Sequence, residues 1–226
     1  MPAARDSALP ARLAGAEILL TGSGALWWPE RRLLAVSDLH LGKSGRVARQ
    51  GGTLWPPYDT ADTLDRLSAD LGRYDAATVV CLGDSLDDMA VAGEMGGDML
   101  RRLRCMQAGR RWIWIAGNHD PGPSGTGGEH LADLSEPPLL MRHIAMPGAS
   151  GEVSGHYHPK AVVSGRGHAI SRPCFLLDRD RLVLPAYGTY TGGLGTTAPA
   201  LAALMRADAL AVLTGPAPVM IPMPRR

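Results

Sequence analysis

The sequence predicts an α/β fold in which two β-sheets pack face to face with helices outside. Three observations predict it. The first half alternates apolar, β-branched runs with amphipathic helical segments, and the second half reads almost entirely as short strands. The chain has 226 residues with 45% apolar side chains, enough for one sizeable core and too few for two large domains. Residues 1–226 are therefore read as a single domain.

The elements follow in order. Ile18-Leu19-Leu20 and Ala25-Leu26-Trp27-Trp28 flank a Gly-Ser-Gly turn and read as a hairpin. Leu33-Leu34-Ala35-Val36 is a third strand. Residues 60–72 carry Ala61, Leu64, Leu67 and Leu71 at spacings of three and four, an amphipathic helix that Gly72 can end. Ala77 to Leu82 is a continuous apolar run suited to a strand buried on both faces. A second helix is expected over 98–107, a strand over 112–115, and a Gly/Pro-rich loop over 121–128. Short strands follow at 139–142, 151–154, 161–164, 173–177, 182–184, 210–213 and 219–221, with a last helix near 198–206.

Composition excludes several function classes. No apolar run approaches the roughly 18 residues of a membrane span, so no membrane association is expected. No apolar h-region precedes a small-residue cleavage site, and the three widely spaced cysteines form no Cys-x-x-Cys; a reducing cytoplasm is the expected location. A formal net charge of +1 argues against a globally basic nucleic-acid coat, so a phosphate-bearing substrate must be attracted locally. Of 23 basic residues only Lys43 and Lys160 are lysines, and each closely follows a histidine-bearing motif.

Four apolar runs end in bursts of Asp, His, Asn and Gly: Ser37-Asp38-Leu39-His40-Leu41-Gly42-Lys43, Gly83-Asp84-Ser85-Leu86-Asp87-Asp88, Gly117-Asn118-His119-Asp120 and Gly155-His156-Tyr157-His158-Pro159-Lys160. Loops at strand C-termini converge on rigid supports, where α/β sheets place ligands. Alternation along an extended segment puts Asp38 and His40 on one side, and likewise His156 and His158. Imidazole, carboxylate and amide donors without thiolate suit Mn, Fe, Zn, Co or Ni. The donors outnumber what one ion needs, so two ions are expected. Two cations a few ångströms apart need a shared anion, and Asp84, alone on its strand end, is the natural bridge, with a bridging hydroxide as nucleophile. Asp87 and Asp88 read as helix N-terminal acids rather than ligands.

The four blocks, in this order and spacing, resemble the calcineurin-like metallophosphoesterase superfamily, whose blocks read Asp-x-His, Gly-Asp, Gly-Asn-His-[Asp/Glu] and Gly-His-x-His. The resemblance covers about residues 17–190. Ala35 to Lys43, the preceding Trp-Trp-Pro, Gly155 to Pro159, and Leu184-Pro185-Ala186-Tyr187-Gly188 with Thr191-Gly192-Gly193 look like one bacterial branch, the ligase-associated DNA damage response endonuclease (PdeM-like) group. The resemblance implies two mixed sheets in a four-layer αββα arrangement. It implies one divalent transition-metal ion on Asp38, His40, Asp84 and His158 and another on Asp84, Asn118, His143 and His156, with Mn²⁺ first among the candidates. His119 is implied as the group that protonates the leaving oxygen, and Asp120 as the holder of its ring. The chain departs from the branch at Asp87, where a histidine is expected, and at His143, which lacks a following glycine.

The implied activity is phosphodiester hydrolysis of single-stranded DNA in repair, alongside an ATP-dependent DNA ligase and a helicase; a small-molecule or cyclic-nucleotide phosphodiesterase is the alternative. Lys43, Arg46 and Arg49 can steer phosphates, and the Trp55–Tyr58 loop can offer a ring on which a base stacks. Short exposed strand edges permit a homodimer.

Overall fold

The computed structural model describes residues 8–49, 51, 56, 58–87, 91, 96–122, 125–165 and 168–225. Strands β1 (Ala8–Leu13), β2 (Ala16–Thr21), β3 (Leu26–Trp28), β4 (Leu33–Val36), β5 (Thr78–Leu82), β6 (Arg111–Ile115) and β7 (Glu129–Leu131) form one sheet in chain order. It is antiparallel from β1 to β4 and parallel from β4 to β7. The second sheet contains β8 (Asp133–Glu136), β9 (Leu139–Arg142), β10 (Glu152–Ser154), β12 (His168–Leu177), β13 (Arg181–Val183), β14 (Leu210–Leu213) and β15 (Val219–Pro222). Its order is β15-β14-β12-β13-β10-β9-β8, with β11 (Lys160–Gly165) pairing β12; β9, β10 and β13 run parallel to one another, and the other pairs are antiparallel. Both sheets are thus mixed, as the resemblance implies.

Period-two alternation explains the layers. On one face of the first sheet Leu26, Trp28, Leu33, Ala35, Val80, Leu82 and Ile113 meet Met141, Val153, Phe175 and Leu182 of the second, forming the sandwich core. The intervening residues Trp27, Leu34, Val36, Val79, Cys81 and Trp112 turn outward, under α2 (Asp59–Arg73) and α3 (Gly97–Gln107). Leu64, Leu67 and Leu71 of α2 and Leu103 and Met106 of α3 supply the apolar stripe that caps this face. On the far side Cys174, Leu176, Val183 and Ala211 pack beneath α4 (Pro199–Leu204) through Leu201. The order is helix, sheet, sheet, helix.

Five elements differ from the sequence reading, each for a local reason. β1 carries Pro10 and looks like irregular chain, yet it is an edge strand, where a missing N–H costs no ladder bond. β7 and β8 are edge strands of mostly polar sequence, so they show no apolar alternation. β12 begins at His168, five residues before the apolar run, because its outer half pairs only with β11 and stands in solvent. α1 (Lys43–Arg49) is a short helix set by the site that precedes it, not by an apolar stripe. No described helix is long and apolar enough to cross a membrane.

The parallel strands decide where chemistry can sit. β4, β5 and β6 of one sheet and β9 and β10 of the other all deliver their C-terminal ends to one rim of the sandwich, and the four motif blocks and His143 follow those ends directly.

Candidate metal centre

Past the ends of β4 and β5 the two segments stay registered by backbone bonds: His40 N–H to Asp84 O (2.9 Å), Leu41 N–H to Ser85 O (3.0 Å) and Asp87 N–H to Leu41 O (3.0 Å). The side chains are nevertheless not presented by an extended strand. Asp38, His40, Asp84, His156 and His158 all have positive φ, from 43° to 70°. Left-handed residues re-aim successive side chains. Asp38 and His40 do share a centre, but through these turns rather than by strand alternation, and His156 and His158 part company. His158 joins Asp38 and His40, whereas His156 joins Asp84 and His143.

The motif glycines are explained by crowding. A Cβ on Gly155 would lie 1.6 Å from Ser37 Oγ and 2.5 Å from Asp38 Oδ2; one on Gly117 would lie 2.3 Å from Asp84 Oδ1. The later Tyr187-Gly188 segment locks the first block from behind, with Tyr187 N–H on Ser37 O (2.8 Å) and Gly188 N–H on Asp38 O (3.0 Å).

The first donor group is Asp38, His40 and His158. Asp38 Oδ2 is occupied by the Ser37 hydroxyl (2.5 Å) and the His156 amide (2.9 Å). Its Oδ1, His40 Nε2 and His158 Nε2 are buried with no hydrogen-bond partner among the described residues, although Oδ1 and His158 Nε2 stand 3.1 Å apart. His40 Nδ1 donates to Asp87 Oδ1 at 2.9 Å, which leaves the Nε2 lone pair facing Asp38 and His158.

The second group is Asp84, His143 and His156. His143 Nδ1 donates to Leu82 O at 2.8 Å, so its Nε2 carries a lone pair in the neutral ring. Around that Nε2 lie Asn118 Oδ1 at 3.0 Å, His156 Nδ1 at 3.2 Å and Asp84 Oδ2 at 3.4 Å. Acceptors converge here with no donor to separate them, and in the other group three buried ligand atoms lack partners. Both are what a divalent cation satisfies, so these residues fit the implied metals. A proton on His143 Nε2 can take a cation's place there: burial opposes ionisation of Asp84, but the bonds from that protonated ring and from the His119 amide overcome it and hold the carboxylate well below the usual range.

Asp87 is the functional residue that sequence reasoning missed. Its carboxylate is fully buried, accepts from His40 Nδ1 and from Arg46 Nε, and is held at a pKa of about 2 because those bonds outweigh its burial. Its carbonyl accepts His119 Nδ1 at 2.7 Å. One residue thus orients both a ring of the first donor group and the ring beside it. A signal was present: an acid where the resemblance leads one to expect histidine still offers an acceptor.

Two expectations are corrected. Asp120 does not hold the His119 ring; its Oδ2 accepts the Ser85 and Leu86 amides (2.8 and 3.1 Å), since its side chain turns inward under the Asp84 loop, and burial raises its pKa. Arg46 is drawn to the buried Asp87 carboxylate and so is tied into the site's support. Lys43 opens α1 at the His40 end of the rim. The Arg49 side chain and Trp55 lie outside the described residues, while Tyr58 of the same loop is 58% exposed.

Residues 31–179 match the calcineurin-like phosphoesterase family. The chain belongs to that family. Among solved structures, the nuclease MPE of Pseudomonas putida is similar over 92% of this chain and 96% of its own, with a TM-score of 0.71 and 28% identity. A comparison with curated proteins gave no match. This phosphoesterase is a metal-dependent phosphoester hydrolase of a family that uses a dinuclear centre, and its described residues place the two donor groups side by side at one rim, with His40, Asp87 and His119 as a third cluster beside them.

Proposed function

We propose that this phosphoesterase is a nuclease that hydrolyses phosphodiester bonds of single-stranded DNA in repair, with the 1–226 chain acting as one catalytic domain. The observation that carries the reading is the near full-length similarity to a nuclease, 92% of this chain on 96% of that one. The site suits such a substrate. Its cluster opens at a loop-lined rim, and no described helix stands ready to read a duplex groove. The branch resemblance carries the repair role, a cytoplasmic setting and association with a DNA ligase and a helicase.

Two divalent ions, Mn²⁺ by preference, supply a polarised ester and an activated water when bound. Asp38, His40 and His158 would hold one, His143, His156 and Asn118 the other, with Asp84 available to both. The chain's own residues do the rest. Asp87 O fixes His119 through Nδ1–H, so Nε2 of the doubly protonated ring can give its proton to the leaving oxygen. Lys43 and Tyr58 guide the strand toward the His40 end of the rim.

The test is a substrate panel with Mn²⁺-loaded protein: single-stranded circular DNA, the matching duplex, a cyclic nucleotide and a phosphomonoester. Cleavage of the circle ahead of the duplex is expected. Lys43→Ala should weaken strand cleavage and flatten its salt dependence, while cyclic-nucleotide turnover stays as it was. Turnover of the cyclic nucleotide with intact circles would replace this reading with a small-molecule phosphodiesterase.

A further inference from the structure

Beside the second donor group lies an open cleft of about 400 Å³, lined by Asn118, His143, Asp133, Arg142, Ile144 and Met146 among others. It is continuous with the metal cluster, because Asn118 and His143 belong to both. Its volume falls in the range of small-ligand sites, roughly 300–1,000 Å³.

The apolar part of its wall is unusual. Ile144 and Met146 are 44% and 55% exposed, while Ala145 between them is buried. The segment is nevertheless firmly held. Glu152 Oε1 accepts Met146 N–H at 2.8 Å, and Arg181 Nη1 donates to Met146 O and to Glu152 Oε2, both at 3.1 Å. Arg181 also reaches Ala149 O at 3.4 Å. Glu152 and Arg181 are both buried, so a desolvated ion pair pins the backbone of a loop whose apolar side chains face water. Apolar groups preorganised in that way gain free energy only when something covers them.

What covers them must have an apolar face and a polar edge. Ile144 and Met146 offer a flat apolar contact, and Met adapts readily to planar rings. Asn118 and the Arg142–Asp133 pair, 3.4 Å apart, form a polar edge around it. A nucleobase has both features, and the cleft begins where a scissile phosphate must lie. We propose that this cleft seats the base of a nucleotide adjoining the scissile phosphate, with Ile144 and Met146 as its platform. The inference rests on the nuclease reading and adds a second contact region, at the His143 end of the rim, opposite the end at which α1 begins.

The test measures fluorescence anisotropy of a short labelled oligodeoxynucleotide with phosphorothioate linkages that resist cleavage, on Mn²⁺-loaded protein. A set of strands carries one abasic position each. For wild type, one abasic position should weaken binding by about tenfold, from loss of the buried apolar contact. Ile144→Ala/Met146→Ala should lose a similar factor on the intact strand and become insensitive to that abasic position. Met146→Ala alone, at the more exposed of the two sites, should show the same pattern in smaller measure, and thermal melting should report an intact fold for both. Affinity equal to wild type, or an equal loss on intact and abasic strands, would overturn the base seat while leaving the nuclease reading in place. No strand binding by wild type would overturn both.

Discussion

Replacing Asp87 by Asn tests whether a residue outside both donor groups governs metal binding. The substitution keeps shape and volume, so it removes charge rather than packing. Asp87 accepts from His40 Nδ1 at 2.9 Å and from Arg46 Nε, and one amide oxygen cannot serve both. If the amide oxygen faces His40, its NH₂ opposes the Arg46 guanidinium. If it faces Arg46, the NH₂ meets His40 Nδ1, and the ring must move its proton to Nε2, the atom that faces Asp38 and His158. Hydrogen bonds to charged groups contribute about 1.5–3 kcal/mol each, and removing one partner of a fully buried pair costs about 3–5 kcal/mol. Arg46 keeps a quarter of its side-chain exposure, so its share is screened and the low end applies, a net loss of about 2 kcal/mol in stability. Losing the partner that orients a ligating histidine typically weakens metal affinity by about 10–100-fold. Mn²⁺ titration calorimetry measures the affinity directly, and thermal melting with and without chelator separates it from stability. Wild-type Mn²⁺ affinity in Asp87→Asn would refute the reasoning, whatever happened to the melting temperature.

Three further outcomes are expected. Metal analysis should find close to two ions per chain, and Asp84→Ala should lower that number sharply; a firm value of one in wild type would remove the shared role of Asp84. His119→Ala should retain its metal yet lose roughly two to four orders of magnitude in rate on poor leaving groups and far less on nitrophenolate; an emptied site would make His119 a ligand. Iodoacetamide should modify Cys105 alone in the native protein, because Cys81 and Cys174 are buried and desolvation pushes the Cys174 thiol up to about 12, as mass spectrometry of the labelled peptides will show.

Much of the architecture was legible because the sandwich is built from runs whose period declares itself. Val79 to Leu82 and Leu33 to Val36 are apolar on both faces since helices and a second sheet cover both, and α2 shows its stripe plainly. The edge strands β1, β7 and β8 were not legible, because Pro10 in β1 and the polar residues of β8 answer to solvent rather than to a core, although the edge strand β15 was. At the site, residue types and spacing revealed who takes part. They could not on their own reveal the partition of His156 from His158, which only the family resemblance implied, because it depends on backbone turns that no periodicity encodes. Nor could they assign Asp87 its place, since a helix-start acid and a buried clamp look alike until His40 and Arg46 are seen on either side of it.

The left-handed backbone at Asp38, His40, Asp84, His156 and His158 bears on how this chain drifts over generations. Each such residue with a side chain is held about 1 kcal/mol or more uphill of glycine. Nothing in folding alone favours keeping five of them on one rim, so selection for hydrolysis is what retains them. In a lineage released from that selection, asparagine at these positions would relieve strain while keeping an acceptor for the buried amides and hydroxyl that Asp38 and Asp84 serve, and the rim would decay before the sandwich beneath it. A paralogue that has lost its activity should therefore melt higher than this protein in the presence of chelator, and its first substitutions should fall on these five positions.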